Sequence, residues 1–247
     1  MKPKPIPIQN EPSIILSEIR KNKRPVTFLE LTVMIKGFYE TVKDLEEAID
    51  KLIKEKYLNE QSGQYSITNA GRFILNKLNM ETLCARFRGN FIHAATKLES
   101  IIDDILCIYF TQDEEKRKTL NLVVFSSEKI TLKSKIDILD FIACKHCKEQ
   151  YQKYTKDDGT TLLTRLDNFI SKRNRVAHRQ YYPTDEEISS FDGFNVLFKY
   201  LDGKSGKIKP KEINMGFEPS KAVVAEIMSL SNILNELKEL FLKNNGF

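Results

Sequence analysis

Arg173, Asn174 and His178 are the residues of this chain whose types and spacing best suit chemistry. They close a stretch of helical periodicity, residues 160–179, whose apolar stripe runs Leu162, Leu166, Phe169 and Ile170 and should continue at 173 and 177. Position 177 is Ala177. Position 173 is an arginine, and a guanidinium is costly to bury unless it is paired. Asn174 stands four residues before His178, so the two share a helix face and the amide can orient the imidazole. Arg173 and His178 are about 140° apart around an α-helix and about 7.5 Å apart along it. They converge on one phosphate only if the helix distorts near its end or if two copies meet about a two-fold axis. Lys172, Arg175 and Arg179 add cationic charge, and Tyr181 and Tyr182 follow. Cations beside aromatic rings suit single-stranded RNA, whose bases stack on such rings. A solvated helix end also favours basic residues, which accounts for Arg175 and Arg179 better than for Arg173.

The elements that must carry these residues are helical. Phe87, Phe91, Ala94, Leu98, Ile101, Ile105 and Ile108 step by fours and threes. Residues 130–144 give a second helix through Leu132, Ile136, Leu139 and Ala143, and residues 160–179 a third. Val223, Ile227, Leu230, Leu234, Leu237 and Phe241 give a fourth. Four amphipathic helices predict a four-helix bundle over residues 80–247. A β-hairpin is predicted as an insertion at about 193–215, turning through Asp202-Gly203-Lys204-Ser205-Gly206.

Ahead of the bundle, Pro3, Pro5, Pro7 and Pro12 make residues 1–11 an extended arm. Residues 12–79 read as three short helices, two strands around Ser62-Gly63, and a helix opening at Thr68. This order, with the stretch from Tyr65 to Arg72, resembles a winged helix-turn-helix domain. The expected fold class is therefore mainly α: a winged helix-turn-helix with a small β-wing, then the bundle. The functional reading of such a module is DNA binding through its third helix. Here that helix sets Asp44, Glu46, Glu47 and Asp50 against one early base, Lys43. Affinity for a polyanion comes from Lys and Arg, so DNA is disfavoured and a regulatory or protein-contact role is expected.

Arg173-Asn174-Arg175-Val176-Ala177-His178 resembles the R-x(4-6)-H motif of the HEPN superfamily, including the polar residue that commonly follows the arginine. In that family the motif lies near the C-terminal end of a bundle helix. The chain departs from the subset with R-x(4)-H-x-Tyr, because Tyr181 comes one residue late. The resemblance implies a metal-independent endoribonuclease acting as a homodimer, possible toxin or phage-defence roles, and RNA as substrate. It implies that His178 acts on the attacking 2′-hydroxyl or the leaving oxygen, that Arg173 holds the scissile phosphate, and that Asn174 orients them. RNA carries its own nucleophile, so a proton acceptor and a cationic anchor suffice. No metal and no cofactor are expected, and the products would be a 2′,3′-cyclic phosphate and a 5′-hydroxyl. The alternative is a non-catalytic DNA-binding or nucleotide-sensing regulator or scaffold that uses the bundle for dimerisation.

Other candidates carry less. Glu99, between Ala95 and Ile102 on a second apolar line, is placed to pair with Arg173 or to support the site. Asp103-Asp104 reads as a solvated or partly paired face. Cys144-Lys145-His146-Cys147 has the spacing of a zinc half-site, but Cys84 and Cys107 are isolated, Cys144 falls on the apolar side of its helix, and a closed site needs about four ligands. Gly203-Lys204-Ser205-Gly206 lacks the earlier glycine and the strand–helix context of a phosphate loop. With 247 residues and a net charge of +5, the composition fits one large or two small globular domains and does not by itself argue for nucleic acid. The longest apolar run, 101–110, holds two acids and is too short to span a bilayer. Residues 1–12 have no apolar run after Lys2 and Lys4, so a cytoplasmic protein without a membrane partner is expected.

Overall fold

The computed structural model describes residues 11–127, 130–178, 183–204, 207–214 and 217–243. It is mainly helical with small antiparallel sheets. The chain divides into two compact units: residues 1–84 with 182–195, and residues 85–181 with 196–247.

The first unit starts with α1 (Glu11–Asn22), a two-residue strand β1 (Val26–Thr27), α2 (Phe28–Met34) and α3 (Val42–Lys54). Both α2 and α3 begin with reciprocal capping boxes. The Thr27 hydroxyl accepts from the Glu30 amide and Thr41 from Asp44, and each acid reaches back to the cap amide. Strands β2 (Leu58–Gln61) and β3 (Gln64–Ile67) pair in antiparallel fashion around Ser62-Gly63. Both turn residues have positive φ, 51° and 74°, the two-residue turn whose twist matches the strands. β1 adds to the far edge of β3, with Val26 opposite Tyr65, giving the order β1-β3-β2. This third strand is absent from the sequence reading, because two residues cannot display a period of two. Ile15, Leu16, Leu31, Leu45, Ile49, Leu52, Leu58 and Leu75 form the core.

The helix expected to end near Leu78 and the one expected to start at Met80 are one helix, α4 (Asn69–Phe110). Leu78-Asn79-Met80-Glu81 holds no proline or glycine to break it. The unit also takes in α9 (Asp185–Ser189), a segment that the sequence reading gave to the bundle. Ile188 and Phe191 are buried, and the Asn76 amide donates to the Ile188 carbonyl at 2.8 Å.

The second unit holds the later part of α4, α5 (Glu114–Leu120), a π-helical turn (Asn121–Phe125), α6 (Leu132–His146), α7 (Lys148–Gln152), α8 (Leu162–His178), the hairpin β4 (Leu197–Lys204) and β5 (Lys207–Asn214), and α10 (Phe217–Lys243). α4, α6, α8 and α10 bury one apolar face each: Phe91, Ala95, Leu98, Ile102, Ile105 and Leu106; Ile136, Leu139, Ile142 and Ala143; Leu162, Leu166, Phe169 and Val176; Leu230, Leu234, Leu237 and Phe241. On α4 both the main seam and the second apolar line through Ala95 and Ile102 are buried, and Leu106 joins them. Specific contacts tie the helices pairwise. Phe91 and Phe169 lie 5.2 Å apart between ring centroids, Lys238 bonds Asp104 at 2.6 Å, and Tyr109 meets His146 at 3.2 Å. The hairpin appears where expected, with Leu197 opposite Asn214 and Lys204 opposite Lys207. Residues 1–10 of the expected N-terminal arm and Ser205-Gly206 of the expected turn lie outside the described residues. Among those described, no helix is long and apolar enough to cross a membrane.

Candidate functional site

α8 is fixed from both ends of its buried face. Thr161 caps it, its hydroxyl accepting from the Thr164 amide at 3.2 Å. Arg165, buried on the side facing α10, donates through Nε to Glu226 and through Nη2 to Ser229, both at 2.8 Å. A buried arginine needs such complete pairing. Sequence reading passed over Arg165 and singled out Arg173, which is half-buried at the point where the apolar face opens. The face continues to Val176 rather than to Ala177, which is only half-buried.

Arg173 and Asn174 line a cleft of about 840 Å³ walled by α4, the π-helical turn, α6 and α8. Arg173 donates from Nη1 to the Asn174 Oδ1 at 2.9 Å. Its Nε is shielded from water and has no hydrogen-bond partner among the described residues. Asn174 therefore engages the guanidinium in this structure. α8 stays α-helical through His178, its last residue. The His178 side chain, and Arg179, Tyr181 and Tyr182, lie outside the described ones. Lys172 is exposed and Arg175 half-buried, both on α8.

The floor of the cleft holds a feature that sequence reading missed. Lys135, on α6, is buried at 2% exposure and donates to Glu99 Oε1 at 2.6 Å and to Asp103 Oδ2 at 3.0 Å. Glu99 thus spends its bond on Lys135 rather than on Arg173, though all of them line the same cleft. Asp103 is not a solvated acid: it is 5% exposed, and only Asp104 turns away, toward Lys238. Both Asp103 oxygens lie 3.0 Å from the ammonium, yet Oδ1 accepts no hydrogen bond among the described residues. Burial pushes the Asp103 carboxyl up to about 6, against the opposing pull of Lys135. The signal was available. Lys135 falls on the line of Leu139 and Ile142, as Arg173 falls on that of Phe169 and Val176, and Glu99 and Asp103 share a face of α4 at four-residue spacing.

Cys144 is exposed and Cys147 buried, the reverse of an apolar Cys144, and among the described residues no three His, Cys, Asp or Glu side chains gather as a metal site. On α3, Asp44, Glu46, Glu47 and Asp50 are all exposed. Comparison of the chain with protein-family models, curated proteins and solved structures finds no match.

Proposed function

We propose that the protein is a metal-independent endoribonuclease of HEPN type, acting as a homodimer, with residues 12–79 forming a winged-helix module that contacts a regulator. The observation that carries this reading is the state of Arg173. Asn174 holds one end of the guanidinium, while Nε–H has no acceptor among the described residues, at the edge of a cleft large enough for a nucleotide. An unmet buried donor costs about 1–3 kcal/mol, and a phosphate oxygen entering beside Nε and Nη2 removes that cost with a forked, charge-assisted bond. The π-helical wall fits the same reading, since such turns concentrate at functional sites. Because α8 is undistorted, Arg173 and His178 stay on different aspects of it, which favours a site shared between two copies. In the reaction, His178 takes the 2′-hydroxyl proton or protonates the leaving oxygen, and Arg173 holds the charge developing on the phosphate. The exposed acids of α3 favour a protein rather than DNA as the partner of the first unit.

The test is incubation with mixed-sequence single-stranded RNA in excess EDTA, beside His178→Ala and Arg173→Ala, with the ends mapped. Cleavage leaving 2′,3′-cyclic phosphates and lost in both variants supports the reading. Intact RNA across a range of sequences, with the dimer present, points instead to a nucleotide-sensing regulator.

A further inference from the structure

We propose that the groove between α4 and α10, within the second unit, is a docking site for an acidic amphipathic helix of a partner protein. The groove measures about 310 Å³. Phe87, Phe91 and Ala94 line its α4 wall at helical spacing, and Val223 and Ile227 line its α10 wall. Val224 and Met228 join them on α10 and stand 53% and 62% exposed. Apolar side chains gathered along a groove in water mark an interaction surface. From Phe87 to Lys97 the α4 wall runs about 15 Å, nearly three turns of a helix.

The walls decide the form of the occupant. Both are helices, whose backbone groups bond within the helix, so the groove offers no main-chain partner. An extended segment would leave its own N–H and C=O groups unmet there. A helix meets them internally and inserts residues at i, i+3, i+4 and i+7. The charge decides the rest. Lys97 and His93 line the groove, Arg86 lies on the same line of α4, and no Asp or Glu lines it. Among the described residues, Arg86 and Lys97 take part in no ion pair. The lining residues of α10 are uncharged. A partner helix therefore sets its apolar face between the walls and its carboxylates over the α4 edge. A nucleic-acid strand fits less well, because it needs exposed rings for its bases, and Phe91 is buried.

Fluorescence anisotropy on the full chain tests this with labelled synthetic peptides about four turns long. One carries leucines along one face and glutamates beside them. A second has lysines for the glutamates, and a third has the first one's composition with the leucines scattered. The first should bind about tenfold tighter than either of the others, and added salt should weaken it. Met228→Ser alters an exposed position, so circular dichroism should not change, and the first peptide should bind about tenfold more weakly. Lys97→Glu should reverse the order of the glutamate and lysine peptides. No binding of the first peptide, equal binding of the three, or binding untouched by both substitutions would overturn the proposal. So would dodecanoate or single-stranded RNA bound in the peptide's place, which would make the groove an acyl-ligand site or a nucleic-acid track. A native dimer that Met228→Ser dissociates would overturn it too, by giving the groove to a second copy.

Discussion

Arg173 is defined by geometry as much as by charge, and Arg173→Lys separates the two. Lysine keeps the positive charge and loses the planar fork and the Nη1 bond to Asn174. If Arg173 holds the transferring phosphate through two parallel N–H groups, initial cleavage rates should fall by about 10²-fold, with thermal stability unchanged. A lysine variant as fast as the native chain would reduce Arg173 to a point charge. Asp103 yields a second prediction, on stability. Its carboxyl moves from the ordinary 3.8 to about 6, first because it is buried. The folded chain therefore binds more protons than the unfolded chain between those values, and this group's contribution to stability is lost as pH rises through 6. Asp103→Asn removes that loss. The unfolding free energy of the variant relative to the native chain should rise by about 2 kcal/mol between pH 4 and pH 7, measured by urea titration at each pH. A pH-independent difference would mean that Lys135 fully offsets the burial of Asp103. In the sequence, Arg173 stood out as a lone cation on an apolar stripe. Lys135 stood on such a stripe as well, and Glu99 and Asp103 share a face of α4, but more than thirty residues separate them, so nothing local to α6 says which acids the lysine meets.

At the level of elements, the contact between α4 and the segment before β2 depends on one small residue. A Cβ built on Gly71 would lie 2.2 Å from the Tyr57 carbonyl oxygen and 2.9 Å from Ile67 Cγ1. Tyr57 O also accepts from the Thr68 amide at 3.1 Å, so the backbone there is already committed. Gly71→Ala gains helix propensity and still should destabilise the first unit by about 1–3 kcal/mol, the cost of overpacking a fixed contact. Denaturant unfolding followed by hydrogen exchange in α1–α3 would register it. A stabilised variant would show that α4 can move away from Tyr57. The elements themselves were legible where a local rule suffices. The capping box at Thr41, the Thr68 cap, the Ser62-Gly63 turn and the four apolar periodicities each leave a mark within a few residues. The merging of two predicted helices into α4, the β1 strand and the return of α9 to the first unit were not legible. Each is decided by a partner distant in sequence, as when Val26 pairs with Tyr65 and Asn76 bonds Ile188.

For the whole molecule, the question raised by the proposed ribonuclease is whether one chain or two would build its site. α8 keeps α-helical geometry to His178, so positions 173 and 178 lie about 140° apart around it. A phosphate held by one is poorly placed for the other on the same helix, whereas a two-fold axis can bring the arginine of one copy toward the histidine of the next. Two inactive variants distinguish these arrangements. In a mixed dimer of Arg173→Ala with His178→Ala, a site built within one chain is broken in both protomers, because each lacks one essential group. A site shared across the axis is broken once and intact once, since the arginine of one protomer still faces the histidine of the other. With equal mixing, about half of the dimers are mixed and each keeps one of two sites. Cleavage should therefore return to on the order of a quarter of the native rate after the inactive variants are unfolded together and refolded. Continued inactivity, with mixed dimers confirmed by differently tagged chains, would place both groups of each site on a single α8 and would require that helix to bend when RNA binds.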